Sequence, residues 1–163
     1  MTTLAVTGHM NLSEGTVPLV REAVRNLLRG HGHGHEGELV GVSCLARGAD
    51  TLFAEAVVEA GGRLVVVVPA RDYRVVHVTG DHAVVFDRLV AAAEVVAMPY
   101  DVADEQAYEA ANAELFKRAE RLVAVWDGTS PDGKRGGTAH AVEQARALGL
   151  PVDVVWPEGA ERA

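Results

Sequence analysis

The sequence predicts an α/β domain: a mainly parallel sheet of about five to six strands with helices on both faces. Three observations carry that expectation. Short apolar runs of strand length alternate along the chain with longer segments whose apolar residues recur at helical spacing. One run, Leu64–Val68, is apolar throughout, the pattern of a strand covered on both faces, and parallel sheets are buried in that way. Glycines punctuate the passages from strand to helix, at Gly8, Gly48 and Gly136-Gly137. Strand–helix alternation of this kind folds by right-handed crossovers into helices above and below one sheet.

Leu4–Thr7 reads as a short first strand that ends at Gly8-His9. A helix follows the start signals between Ser13 and Pro18, with Val17, Val20, Val24 and Leu27 on its apolar stripe. It fails at Gly30, where alternating glycines and histidines begin. The second strand is Leu39–Ser43, and the helix after it carries Leu52, Phe53, Ala56 and Ala60 inward. Leu64–Val68 follows, then a polar excursion from Pro69 to Gly80 and a helix from about Asp81 to Ala93. Val95–Ala97 is a short strand, and a helix from Asp104 to about Glu120 has Ala107, Ala111 and Leu115 on one stripe. Tyr108 and Asn112, four apart, share a neighbouring face, where ordinary surface packing accounts for them. Leu122–Trp126 is a buried strand, Val142, Ala145 and Leu148 mark the helix after it, and Val152–Trp156 is the last strand. The elements together make a Rossmann-like, doubly wound sheet. Residues 1–157 form a single domain, with 158–163 as a polar C-terminal tail.

Composition narrows the function. Nearly half of the 163 residues are hydrophobic, which is enough for one well-buried core. The longest apolar run is far too short to span a bilayer, and the N-terminus lacks the pattern of a secretory signal. A single Cys44 excludes an internal disulfide and suits a reducing cytoplasm. A net charge of −8 argues against nucleic acid and against anionic membranes, because both select a surplus of Lys and Arg. Expected partners are therefore a nucleotide-like small molecule, no nucleic acid and no membrane, with homo-oligomerisation left open. The His31-His33-His35 tract invites a metal, but it lies in a glycine-rich α-to-β connection, at the edge opposite the strand C-terminal ends. It has no cysteine or carboxylate cage beside it, so no metal site and no cofactor are expected.

In open α/β sheets ligands bind beyond the strand C-terminal ends, where the strand order reverses. The glycine turns at Gly8, Gly48 and Gly136-Gly137 fall on that edge, as do His9, Arg47 and Asp127. Gly136-Gly137-Thr138 opens a helix, and a glycine turn followed by a helix start can hold an anion. Backbone N–H groups there lack intrahelical partners, and the helix dipole adds about half a positive charge. Arg47 could hold a phosphate bidentately. Asp50 reads equally well as a helix cap. Asp127 is the one carboxylate offered as a catalytic candidate, against the simpler reading of a loop Asp that satisfies the backbone of the next turn.

Two segments also resemble a known superfamily. SCLARGADTLFAEAVVEAGGRLVVVVP resembles the S-G-hydrophobic-A-R-G-hydrophobic-D segment of the Smf/DprA DNA-processing proteins. VAVWDG followed by GGTAHAVEQAR resembles the glycine–threonine motif of the LOG cytokinin-activating phosphoribohydrolases, and nucleoside 2-deoxyribosyltransferases have a similar layout. The chain thus looks like a member of the SLOG superfamily, whose Rossmann-like domains bind nucleotides or their derivatives. That resemblance implies a ligand site lined by Gly8, Gly48, Asp50, Gly136, Gly137 and Thr138. It also exposes departures. The enzymes carry a catalytic Glu three residues after the motif threonine, where this chain has Ala141. Glu143 stands about 200° further round the helix. Arg135 replaces the proline that opens the LOG motif. The expected function is binding of a phosphorylated, nucleotide-derived small molecule as a sensor or carrier, leaning away from an enzyme. LOG-like N-glycosidase activity and a Smf/DprA-like DNA-processing role are the alternatives.

Overall fold

The computed structural model describes residues 1–31, 39–131 and 137–163. Its core is one six-stranded sheet in which every pairing is parallel. The strands are β1 (Thr2–Gly8), β2 (Leu39–Ser43), β3 (Arg63–Val68), β4 (Glu94–Ala97), β5 (Arg121–Val125) and β6 (Val152–Val155). They lie in the order β4-β3-β2-β1-β5-β6. The chain therefore builds outward from β1 to β4, crosses back, and adds β5 and β6 on the other side of β1. The reversal falls between β1 and β5, where Gly8 is in register with Val125.

The pleat sends alternate residues of β1 to opposite faces. Leu4 and Val6 join one core cluster, with α1 (Thr16–His31) and α2 (Ala49–Glu59) supplying Val20, Val24, Leu28, Phe53 and Val57. Ala5 joins the other, where α5 (Glu105–Arg118) and α6 (Thr138–Ala147) supply Ala111, Leu115, Ala141 and Ala145. Each fully buried Val, Leu or Phe removes enough apolar surface from water to contribute about 1.5–3 kcal/mol. Small residues on α5 and α6 let those helices sit close to the sheet. A third cluster joins Leu64 and Val66 of β3 to Tyr73 of α3 (Tyr73–Val76) and to Phe86 and Leu89 of α4 (Asp81–Ala91).

Several expectations are adjusted by this packing. The excursion from Pro69 to Gly80 is not simply polar loop, because Ala70, Tyr73 and Val78 turn inward and are buried. The stripe of α1 runs through Leu28, with Leu27 only partly covered. Ala60 and Leu148 were expected on apolar stripes but are exposed, Leu148 at 66%. Both are the residues at which a helix has just ended and the chain turns at a glycine of positive φ, Gly61 and Gly149. Helical periodicity no longer governs direction there. Among the described residues no helix is long and apolar enough to cross a membrane. His33 and His35 lie outside the described residues. His31 sits 3.9 Å from the Asp153 carboxylate at the start of β6, at the edge away from the strand C-terminal ends.

Candidate functional site at the β1–β5 reversal

Gly8 ends β1, and a methyl group added there would lie 2.4 Å from Cβ of Ala49 and 2.8 Å from Cβ of Val125. Its lack of a side chain lets the start of α2 press directly on the end of β1. Gly48 has φ +83°, and a Cβ there would meet the carbonyl oxygens of His9 and Met10 at 2.7 Å. The β1–α1 loop thus lies on the first turn of α2, and Ala49 N–H donates to the His9 carbonyl at 3.2 Å. Chain-on-chain packing is sufficient reason for both glycines. It also uses one of the α2 N-terminal donors that an anion would need.

The loop after β2 is knitted by short polar side chains. Leu45, with φ 54°, donates its N–H to Ser43 Oγ at 3.0 Å, and Thr51 Oγ1 donates to the Ala46 carbonyl at 2.7 Å. Asp50 does not cap α2, since Gly48 occupies the cap position. Its carboxylate reaches back to accept the Ala46 N–H at 3.3 Å. Burial pushes the Asp50 carboxyl up to about 7, against the lowering effect of that hydrogen bond. His82 Nε2 lies 2.9 Å from the Leu45 carbonyl. Arg47 Nη2 donates to the Thr79 carbonyl at 3.2 Å. A cleft of about 300 Å³ opens beside this turn, walled by Met10, Leu12, Arg47, Thr51, Leu52 and His82.

Across the reversal, His9 is buried and joins β1 to the loop after β5. Its backbone N–H donates to the Val125 carbonyl at 3.0 Å, and its ring meets Trp156 edge-on at 5.6 Å. Nε2 accepts the backbone N–H of Asp127 at 3.1 Å and also lies 3.1 Å from Asp127 Oδ1. One ring nitrogen cannot accept and donate at once. Burial, and then the nearby Arg162 guanidinium, lower the His9 pKa despite the raising influence of Asp127. The neutral ring with its proton on Nδ1 is therefore the form that fits. For Asp127, the upward push of burial is outweighed by hydrogen bonds from the Thr129 hydroxyl at 2.7 Å and the Thr129 N–H at 3.1 Å. These hold the carboxyl down to about 2. Asp127 thus organises its own turn and remains ionised.

Residues 158–163, expected as a polar tail, run back over the β1–α1 loop. Leu12 and Arg162 form an antiparallel bridge, Ser13 N–H donates to the Glu161 carbonyl at 3.0 Å, and Glu161 N–H donates to Thr16 Oγ1 at 2.7 Å. This brings Arg162 to the reversal, with Nε donating to Asn11 Oδ1 at 3.1 Å and Nη1 lying 3.7 Å from Asp127 Oδ2. Asn11, Trp156 and Arg162 were missed by the sequence reading. They belong to no motif, and the crossing that assembles them joins opposite ends of the chain.

At the third glycine turn, Gly136 lies outside the described residues. Gly137 is the N-cap of α6, exposed and extended at φ −77°, with no side-chain cap, and Thr138 begins the helix. Ala141 is fully buried in the cluster that includes Ala5, Leu122 and Ala145. Glu143 is exposed. His140 Nε2 stands 3.8 Å from Glu109 of α5. Among the described residues no cluster of three His, Cys, Asp or Glu side chains could hold a metal ion.

No family model and no curated protein matches the chain. Solved structures do. DNA processing protein A (DprA) from Streptococcus pneumoniae matches with a TM-score of 0.69 at 20% identity, over 98% of this chain and 52% of its own. DprA from Helicobacter pylori gives 0.68 at 14% identity, over 99% and 68%. TM1055, a structural-genomics target, gives 0.59 at 19% identity, over 93% and 72%. The chain spans about half the length of the pneumococcal protein. The shared property is the fold, a Rossmann-like α/β architecture. These structures correct one expectation. The Helicobacter protein is described by its single-stranded DNA binding mode, so proteins of this fold include binders of nucleic acid, and the expectation of no nucleic acid, drawn from net charge alone, does not stand. Net charge sums the whole surface, whereas a polyanion responds to the local potential where it lies.

Proposed function

We propose that the chain binds a nucleotide or a nucleotide-derived phosphorylated small molecule in the crevice beyond the C-terminal ends of β1 and β5. The observation that carries this reading is the strand reversal itself. It sets His9 and Asp127 side by side, and the first turns of α2 and α6 start from the same edge of the sheet. Crevices of that kind are where doubly wound sheets hold ligands, and helix starts favour anions. Arg47, Gly48, Gly136, Gly137 and Thr138 are the residues proposed to line it, with Gly8, His9, Asp50 and Asp127 shaping its floor. Binding without glycosidic cleavage fits best, because the position of the enzymes' catalytic Glu is Ala141, inside the core. The one cysteine, Cys44, is free and buried, in keeping with a cytoplasmic protein.

Calorimetric titration of nucleoside mono- and diphosphates into the wild type and a Gly137→Val variant tests the site. Valine suits the extended backbone at 137 and should cost the helix no more than about 1 kcal/mol, while its side chain blocks approach to the first turn. Affinity should fall at least tenfold in a folded variant. Unchanged affinity would place the ligand elsewhere. A second reading, a role on single-stranded DNA, is supported by the likeness to the DprA proteins, and a fluorescence-polarisation titration with an oligonucleotide measures it directly.

A further inference from the structure

We propose that Arg162, delivered by the C-terminal strap 157–163, binds the anionic group of the ligand at the β1–β5 crevice; this rests on the nucleotide-binding reading above. The guanidinium is positioned but unspent. Its backbone is fixed by the bridge to Leu12, and its Nε is fixed by Asn11 at 3.1 Å. Of the five N–H donors an arginine carries, the other four make no hydrogen bond to the described residues. The Asp127 carboxylate, at 3.7 Å, is beyond hydrogen-bonding distance. Asp127 Oδ1 already accepts from Thr129 twice, so the ion pair steers the guanidinium without saturating it. With its side chain 42% exposed, Arg162 is open to an incoming solute.

The surroundings favour an anion over a further internal partner. His9, the other basic group here, is held neutral by burial and by Arg162 itself, so Arg162 is the cation facing Asp127. A phosphate has two oxygens at the spacing of a guanidinium fork, and such bidentate contacts are among the strongest charge-assisted hydrogen bonds. Asp127 competes with that phosphate for the same fork. Removing Arg162 and neutralising Asp127 should therefore act in opposite directions, which a purely structural ion pair would not produce.

The test is calorimetric titration of inorganic phosphate, AMP and adenosine into the wild type, Arg162→Ala, Arg162→Lys and Asp127→Asn. Arg162→Ala keeps the backbone bridge, and Asp127→Asn keeps an oxygen for Thr129. AMP and phosphate are expected to weaken at least tenfold in Arg162→Ala and by less in Arg162→Lys. Both should tighten in Asp127→Asn, with adenosine unchanged throughout. Should Arg162→Ala fail to fold, the sign of the Asp127→Asn effect decides. Undiminished AMP binding in folded Arg162→Ala overturns the assignment and leaves the nucleotide reading standing. Equal loss of AMP and adenosine also overturns it, because the strap would then act only as a wall. Phosphate binding that depends on Arg162 without any nucleotide binding upholds the assignment and removes the nucleotide reading. A wild type that takes neither phosphate nor AMP removes both.

Discussion

The backbone N–H of Asp127 donates to Nε2 of His9 at 3.1 Å, tying the loop after β5 to the end of β1 across the strand reversal. Because the acceptor is a ring nitrogen, the tie holds only while that nitrogen is unprotonated. Protonated Nε2 would release the N–H and turn to the carboxylate of the same residue, 3.1 Å away. The two sides of the strand reversal are thereby linked through one titratable atom.

Replacing His9 by leucine should leave the Asp127 N–H without its partner and destabilise the fold by about 1–3 kcal/mol. His9→Gln, which keeps an acceptor, should lose less. In the wild type the lowered His9 pKa means that the unfolded chain binds the proton more readily. The contribution is whole above pH 6.5 and is lost as pH falls through the lower folded value. Urea denaturation from pH 8 to 5 should show a shallower acid-side loss in His9→Gln than in the wild type. Parallel pH profiles would refute the role given to the ring.

Asp50 carries the opposite sign. Its carboxyl is raised from 3.8 to about 7 by burial, so its contribution is whole below 3.8 and is lost as pH rises through about 7. Asp50→Asn preserves an acceptor for Ala46 and removes the buried charge. The variant should gain stability relative to the wild type on moving from pH 5 to pH 8.5. A stability difference that does not change with pH would show that Asp50 ionises freely in the fold.

Ala141 takes the place where the resembling enzymes carry glutamate, and it is fully buried against the sheet. Introducing Ala141→Glu should bury a carboxyl without partners and cost several kcal/mol, seen as a large drop in melting temperature. A variant as stable as the wild type would mean that this side of α6 opens to a ligand.

Chemistry follows from the same position. Breaking a nucleotide's glycosidic bond calls for a carboxylate held within a few ångströms of the sugar. Asp127, the candidate offered for that task, accepts two hydrogen bonds from Thr129 and faces the Arg162 guanidinium. Overnight incubation with nucleoside monophosphates should release no base above background. Chromatographic detection of free base that vanishes in Asp127→Asn would make this protein an enzyme.

The strands and the five longer helices were legible along the chain because they follow from local periodicity, whereas the one-turn α3 inside the Pro69–Gly80 excursion was not. Leu39–Ser43 and Leu64–Val68 read as buried strands directly from their composition, and Asp104 as the start of α5, whose Ala107 N–H its carboxylate accepts at 2.9 Å. The sequence alone also placed Gly8, Gly48 and Asp127 on one edge, since each follows a strand of a parallel sheet. It could not say what their neighbours were. Gly8 is a glycine because Ala49 and Val125 leave no room for a methyl group, and Gly48 because two carbonyls lie above it. Those are contacts between segments far apart in the chain. Arg162 looked like part of a solvated tail because no periodicity or motif marks it. Only the pairing of Leu12 with Arg162, made after the chain returns along β6 beside β5, brings a charge from the end of the chain to the loop that follows its first strand. Periodicity is a property of neighbours in sequence, whereas a binding crevice is made by neighbours in space, and in this fold the two coincide at the helices and strands but not at the site.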